Sequence, residues 1–125
     1  MPFSQVWHRN GLQARFSGIL TKEDLMLQKA ELFMAHRAMA VRYIIIDLLG
    51  VEGFDLSVAD IRDFARLSGD MFRPYEGTIT IKLPIIASRD DLLALAQEYV
   101  RSHKGRVLVP KIFRSEPEAM AWAKA

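Results

Sequence analysis

Asp47, Glu52 and Asp55 stand in one short stretch of chain, and Ser57 follows two residues after the last of them. Three carboxylates within reach of one another could hold magnesium, or divide acid and base work between them. A serine at a helix start could instead accept a phosphoryl group, because the free amides and the helix dipole there favour an anion, although Asp55 and Asp60 close by would repel it. The plainer role for Ser57 is that of an N-cap. The companions of an enzyme are missing: there is no phosphate-cradling glycine loop, no nucleophile elbow, and no pair at metal-ligand spacing among His8, His36 and His103. The chain has no cysteine, which excludes disulfides, thiolate nucleophiles and cysteine-held metals. These residues point to binding without covalent chemistry, with no cofactor and no metal.

The element that must position the acids is the run Tyr43-Ile44-Ile45-Ile46. It is so uniformly apolar that both faces should be covered, as in a central parallel strand from Arg42 to Leu48. Asp47, Glu52, Phe54, Asp55 and Ser57 then fall at or beyond its carboxyl end, where open α/β sheets carry their sites.

Four helix starts use one device. Thr21…Asp24, Ser57…Asp60, Ser88…Asp91 and Ser115…Glu118 each place a hydroxyl three residues before an acid, the pattern of a capping box. Before the first of these, Phe3 to Arg9 and Leu12 to Ile19 read as strands joined by Asn10-Gly11, a hairpin signal. The first helix is expected from Lys22 to about Ala40. Met26, Ala30 and Phe33 recur on it at helical spacing, as do Leu25, Leu32 and Met39, with a narrow polar side at Gln28, Lys29, Glu31 and His36. The second runs from Val58 to about Phe72, with Val58, Ile61, Ala65, Ser68 and Phe72 on one side, and stops before Pro74.

Thr78 to Leu83 alternates as a strand, and Pro84 argues for an outer position or a bulge. A third helix around Leu92 to Val100 is expected to close at Gly105, followed by a short strand Val107-Leu108-Val109 and a last helix carrying Ala119, Met120, Trp122 and Ala123. The order is ββαβαβαβα, an α/β layered sheet of about five strands and four helices.

At 125 residues, 50% hydrophobic and 26% charged, the chain reads as one domain over residues 1–125. Nothing in it resembles a signal peptide or a membrane span, so a soluble cytoplasmic protein is expected. The net charge of +2 is too small to argue for nucleic acid. Arg101, Lys104, Arg106, Lys111 and Arg114 come without an acid between them, and read as a solvated basic face.

On these residues the segment Asp47-Leu48-Leu49-Gly50-Val51-Glu52-Gly53-Phe54-Asp55-Leu56-Ser57 resembles the core motif of STAS domains. Gly18-Ile19-Leu20-Thr21 before the first helix and Glu118-Ala119-Met120-Ala121-Trp122 in the last resemble the SpoIIAA-like, STAS/SEC14-type branch. The resemblance implies a SpoIIAA-like fold and a regulatory or protein-interaction module. For anti-sigma factor antagonists of this type it implies a phosphorylated serine, which Ser57 matches with Asp55 as the motif aspartate, while Leu56 and Val58 depart from the motif. The SEC14-like side implies an apolar ligand or a membrane surface, with a peripheral place at the membrane. Met26, Phe33, Met34, Met71, Phe72 and Tyr75 then become the candidate apolar pocket or interface, and a homodimer is a natural use for their surplus of apolar surface.

Overall fold

A computed structural model describes residues 3–34 and 40–125. The elements are β1 (Phe3–Trp7), β2 (Gly11–Thr21), α1 (Lys22–Met34), β3 (Tyr43–Asp55), α2 (Val58–Phe72), a 3₁₀ turn (Arg73–Tyr75), β4 (Ile81–Ile86), α3 (Asp90–Ser102), β5 (Leu108–Phe113) and α4 (Glu116–Lys124). The order matches the expected ββαβαβαβα. The last part of the expected first helix, with His36 and Met39, lies outside the described residues.

The five strands lie side by side in chain order, with β1 antiparallel to β2 and the remaining pairs parallel. Three successive crossovers therefore step in one direction across the sheet. Since such crossovers are right-handed, α1, α2 and α3 must all fall on one face. The core records this division. Leu12, Ala14, Phe16, Ile44, Leu48, Leu83 and Ile85 pack with Leu25, Leu32, Ile61, Phe64, Leu92 and Ala96 of those helices. Tyr43, Ile45 and Ile86, of opposite pleat parity, pack with Ala119 and Ala123 of α4. The apolar run is thus covered on both faces, as its composition requires.

The hairpin closes with the His8 N–H donating to the Gly11 carbonyl at 2.8 Å. Gly11 is needed for space: a Cβ there would lie 2.2 Å from the Tyr43 ring. At Gly18, where φ is +70°, the β2–β3 register shifts, and β3 follows β2 to its end.

Four expectations change. Strand β3 does not stop at Leu48 but pairs with β2 as far as Thr21↔Asp55, so most of the expected loop is strand. Pro84 lies inside β4, between β3 and β5, rather than at an outer position, and this inner strand accommodates it because the pairing with β3 skips from Lys82 to Ile85. Ser88 caps nothing. Helix α3 starts at Asp90 behind Arg89, whose guanidinium reaches the Val51 and Glu52 carbonyls and the Asp91 carboxylate at 2.7 Å. Gly105 has the positive φ expected of it (109°), but lies beyond the helix end at Ser102.

Candidate functional site

The acids singled out in the sequence are held apart by the strand that carries them. Asp47 and Asp55 are separated by eight strand residues, roughly 26 Å at about 3.3 Å per residue. Asp47 is buried on the α4 face. Its carboxylate accepts from Gln13 Nε2 at 3.1 Å and from the Leu49 N–H at 3.0 Å, with Arg15 at 3.8 Å. Arg15 continues to Glu116 at 3.9 Å, and these side chains line a shallow groove with Phe3 and Leu49. Glu52 and Asp55 are exposed, and Phe54 is half-buried against the main core. Among the described residues no group of three His, Cys, Asp or Glu is placed to hold a metal.

Ser57 is exposed and engaged. The Asp60 N–H donates to its hydroxyl at 3.1 Å, and its own N–H donates to the Asp60 carboxylate at 2.9 Å, a complete capping box. The donated Ser57 N–H holds the Asp60 carboxyl below the usual carboxylate range. In the basic stretch, Arg101 pairs with Glu98 at 3.0 Å, and Lys111 lies over the Trp122 ring.

Helix α1 is turned the opposite way from its expected amphipathicity. Gln28 and Lys29, assigned to the polar side, face inward with Leu25 and Leu32, while Met26, Leu27 and Met34 face outward. Leu27 is 46% exposed and Met34 75%. Of the expected pocket residues, Phe33, Met71 and Tyr75 pack half-buried against the core, and Phe72 is wholly inside it. The buried Gln28 amide is satisfied by β1: its Nε2 donates to Gln5 Oε1 at 3.1 Å, and Gln5 donates to Glu31 at 3.2 Å.

Lys29 has no such relief. It is 2% exposed, and among the described residues its ammonium meets neither an ion-pair nor a hydrogen-bond partner, only the Phe72 ring at 5.4 Å from the centroid. Burial lowers its pKa from 10.5 to about 8. Beside it lies a cavity of about 60 Å³ between the sheet and helices α1 to α3, walled by Leu25, Lys29, Ile46, Phe64, Leu95 and Tyr99 among others. Tyr99 is buried with its hydroxyl turned to the buried Ser68 hydroxyl, the two falling short of a well-formed hydrogen bond. Burial pushes the Tyr99 pKa up to about 12, with Ser68 opposing in part. Tyr99 stacks on His103 at 5.7 Å. Burial lowers the His103 pKa, the Lys29 charge adds to this, and the Leu108 carbonyl at 3.1 Å opposes it.

Compared with solved structures, the chain is similar to an uncharacterized protein of the DUF3478 family with a SpoIIAA-like fold from Shewanella loihica PV-4. The match has a TM-score of 0.52 and 16% identity, and covers 97% of this chain and 91% of the other. The fold is SpoIIAA-like. No family model matches the chain, and no curated protein does.

Within this SpoIIAA-like fold, Lys29, Ser68 and Tyr99 are the polar residues that sequence reasoning passed over as site candidates. A signal for Lys29 was present, since Leu25, Gln28, Lys29 and Leu32 have the i, i+3, i+4, i+7 spacing of a buried stripe with its middle positions polar. Among the described residues, no helix is long and apolar enough to cross a membrane.

Proposed function

We propose that this chain is a non-enzymatic regulatory module that binds a protein surface, first of all a second copy of itself, through the outer face of α1. The observation that carries the reading is the exposure of Met26, Leu27 and Met34 on a helix that buries a glutamine and a lysine instead. A free surface helix would present its polar residues to water and its apolar residues to the core. Apolar positions left outside, methionines among them, suit a surface that a partner covers. Ile19 at the end of β2 and Val58 at the start of α2 add exposed apolar side chains at the carboxyl end of the sheet, so the segment from 50 to 57 and the first turn of α2 would border the interface.

The test is sedimentation equilibrium of the wild-type chain and of a Leu27→Glu/Met34→Glu variant. A wild-type dimer that becomes monomeric in the variant, with the circular dichroism of the fold retained, supports the reading. A wild-type chain that is monomeric at every concentration reached, or a dimer indifferent to both substitutions, overturns the self-association.

A second reading, a carrier or sensor of an apolar small molecule with reversible membrane association, is favoured by one feature. That feature is the cavity under α1, whose walls are almost wholly aliphatic and aromatic.

A further inference from the structure

Three parallel strands meet near their amino ends at one rung. Gly11 of β2 pairs with Tyr43 of β3, and Tyr43 pairs with Lys82 of β4. Backbone bonds fix the chain around this rung: the Arg42 N–H donates to the Asn10 carbonyl at 2.6 Å, and the Lys82 N–H donates to the Arg42 carbonyl at 3.0 Å. The turn of the first hairpin and the starts of β3 and β4 are thereby held together. With the end of α4 they border an open concavity of about 540 Å³, within the size range of small-molecule sites.

The charge of this concavity is one-sided. Arg9, Arg42, Lys82 and Lys124 line it, and among the described residues no Asp or Glu does. The chain carries 17 basic and 15 acidic residues, so four cations without an acid are a local excess. Part of the excess has a structural reason. Lys82 Nζ donates to the Trp122 and Ala125 oxygens at 2.9 and 3.1 Å, and both lysines suit the negative end of the α4 dipole. Arg9 and Arg42 belong to other elements and have no such reason. Among the described residues neither guanidinium has an ion pair or a hydrogen bond, and residues 1, 2 and 35–39 include no acid that could supply one. Arginines elsewhere behave differently: Arg62, Arg66, Arg73, Arg89 and Arg101 each have a carboxylate within 3.5 Å. A second large concavity, beside α2 and the end of α3, also has cations on its wall, but Asp70 and Glu76 stand among them.

A guanidinium is a planar fork of donors that matches phosphate oxygens two at a time. Two such forks beside two ammonium groups call for more negative charge than a single carboxylate carries. We propose that the concavity at the amino ends of β2, β3 and β4 binds a small molecule through a phosphate group of two or more negative charges, with Arg9 and Arg42 as forked donors and Lys82 and Lys124 as supporting charges. The site lies at the opposite end of the sheet from Ser57 and is independent of the α1 surface.

The test is an NMR titration of the whole chain with sodium pyrophosphate at pH 7 and constant ionic strength, repeated on Arg9→Gln/Arg42→Gln. Both side chains are exposed and make no contact the fold needs, so the variant should keep the wild-type amide spectrum elsewhere. Saturable shifts are expected at the amides of residues 8–11, 42–43, 80–82 and 122–125. The variant should bind at least about tenfold more weakly, the loss expected when charge-assisted bonds are removed, and Arg9→Lys/Arg42→Lys, which keeps the charge but not the fork, should fall between the two. Sedimentation with phosphatidylcholine vesicles containing phosphatidic acid separates the sources of the phosphate. Cosedimentation that Arg9→Gln/Arg42→Gln abolishes assigns it to a lipid headgroup, and pyrophosphate binding without cosedimentation assigns it to a soluble ligand. Shifts of equal size at Arg66, Arg73 and Lys104 would mean general attraction to cations and overturn the site. An affinity unchanged in Arg9→Gln/Arg42→Gln, or no saturable shift at millimolar pyrophosphate, would overturn it as well.

Discussion

The Lys29 ammonium lies 5.4 Å from the centroid of the Phe72 ring, joining the middle of α1 to the last residue of α2 inside the core. Phe72 in turn packs on Phe33 at 5.1 Å. A charge is thus set where helices α1 and α2 meet, at a position where an apolar residue would be the stable choice.

Replacing Lys29 by methionine should therefore stabilise the protein. Exchanging a buried charge for a hydrophobe of similar volume is neutral to stabilising by roughly 1–4 kcal/mol, and a pKa lowered from 10.5 to about 8 represents about 3 kcal/mol at about 1.4 per unit. The pH dependence has a definite sign. Between pH 8 and 10.5 the unfolded chain still holds the Lys29 proton while the folded chain has released it, so wild-type stability rises with pH and the advantage of Lys29→Met shrinks. The raised pKa of Tyr99 acts the other way above pH 10 and cancels in the comparison. Urea unfolding of both proteins at pH 7 and pH 10 measures this. A variant less stable than wild type at pH 7 would mean that the ammonium is compensated after all.

Gly11→Ala should cost more than a usual strand substitution. Its Cβ would meet the Tyr43 ring at 2.2 Å, and that ring is held by Ile45, Ile86 and Ala123 under α4. Either the hairpin or the ring must move, with an overpacking cost of about 1–3 kcal/mol. A Tyr43→Ala background, which removes the obstacle, should erase most of that increment in a double-mutant cycle. An increment that persists there would place the cost in the backbone of the hairpin turn.

What the sequence disclosed followed the range of the interactions concerned. The boxes at Thr21 and Ser57 link residues three apart and form in full, and at Ser115 the hydroxyl accepts from the Glu118 N–H across the same spacing. The box at Ser88 has the same letters but fails, because Arg89 is drawn to carbonyls of β3 far away in the chain. Strand β3 reaches Asp55 through Gly50 and Gly53, residues that argue for a loop, because β2 supplies a paired edge. The facing of α1 was hidden for a similar reason. Whether Met34 or Lys29 points inward depends on Gln5, Phe72 and the cavity, none of which is local. The fold was therefore readable from periodicity and punctuation, while the candidate site, built from three helices, was not.

Ser57→Ala isolates the cap from any signalling role. The loss of the hydroxyl that accepts from the Asp60 N–H should cost about 1 kcal/mol, and Ser57→Gly less. Thermal unfolding of both variants gives those values, and sedimentation shows whether association changes with them. Association that weakens in Ser57→Ala at unchanged fold would make the serine part of a contact surface and revive the switch implied by its place after Asp55.

Asp47 makes the complementary case, a buried acid whose bonds are all structural. It accepts from Gln13 and from the Leu49 N–H, and Asp47→Ala leaves the Gln13 amide buried with a donor unmet. The cost should be about 1–3 kcal/mol, the penalty of an orphaned buried polar group. Asp47→Ala/Gln13→Leu removes both partners and should recover part of that loss, since an apolar pair can replace a polar one at little cost. The same pair of variants separates structure from function. If Asp47 only fixes β2 against β3, association should follow stability and return in the double variant. A double variant that is stable yet fails to associate would assign Asp47, with Arg15 and Glu116 in the groove beside it, to a surface the partner reads.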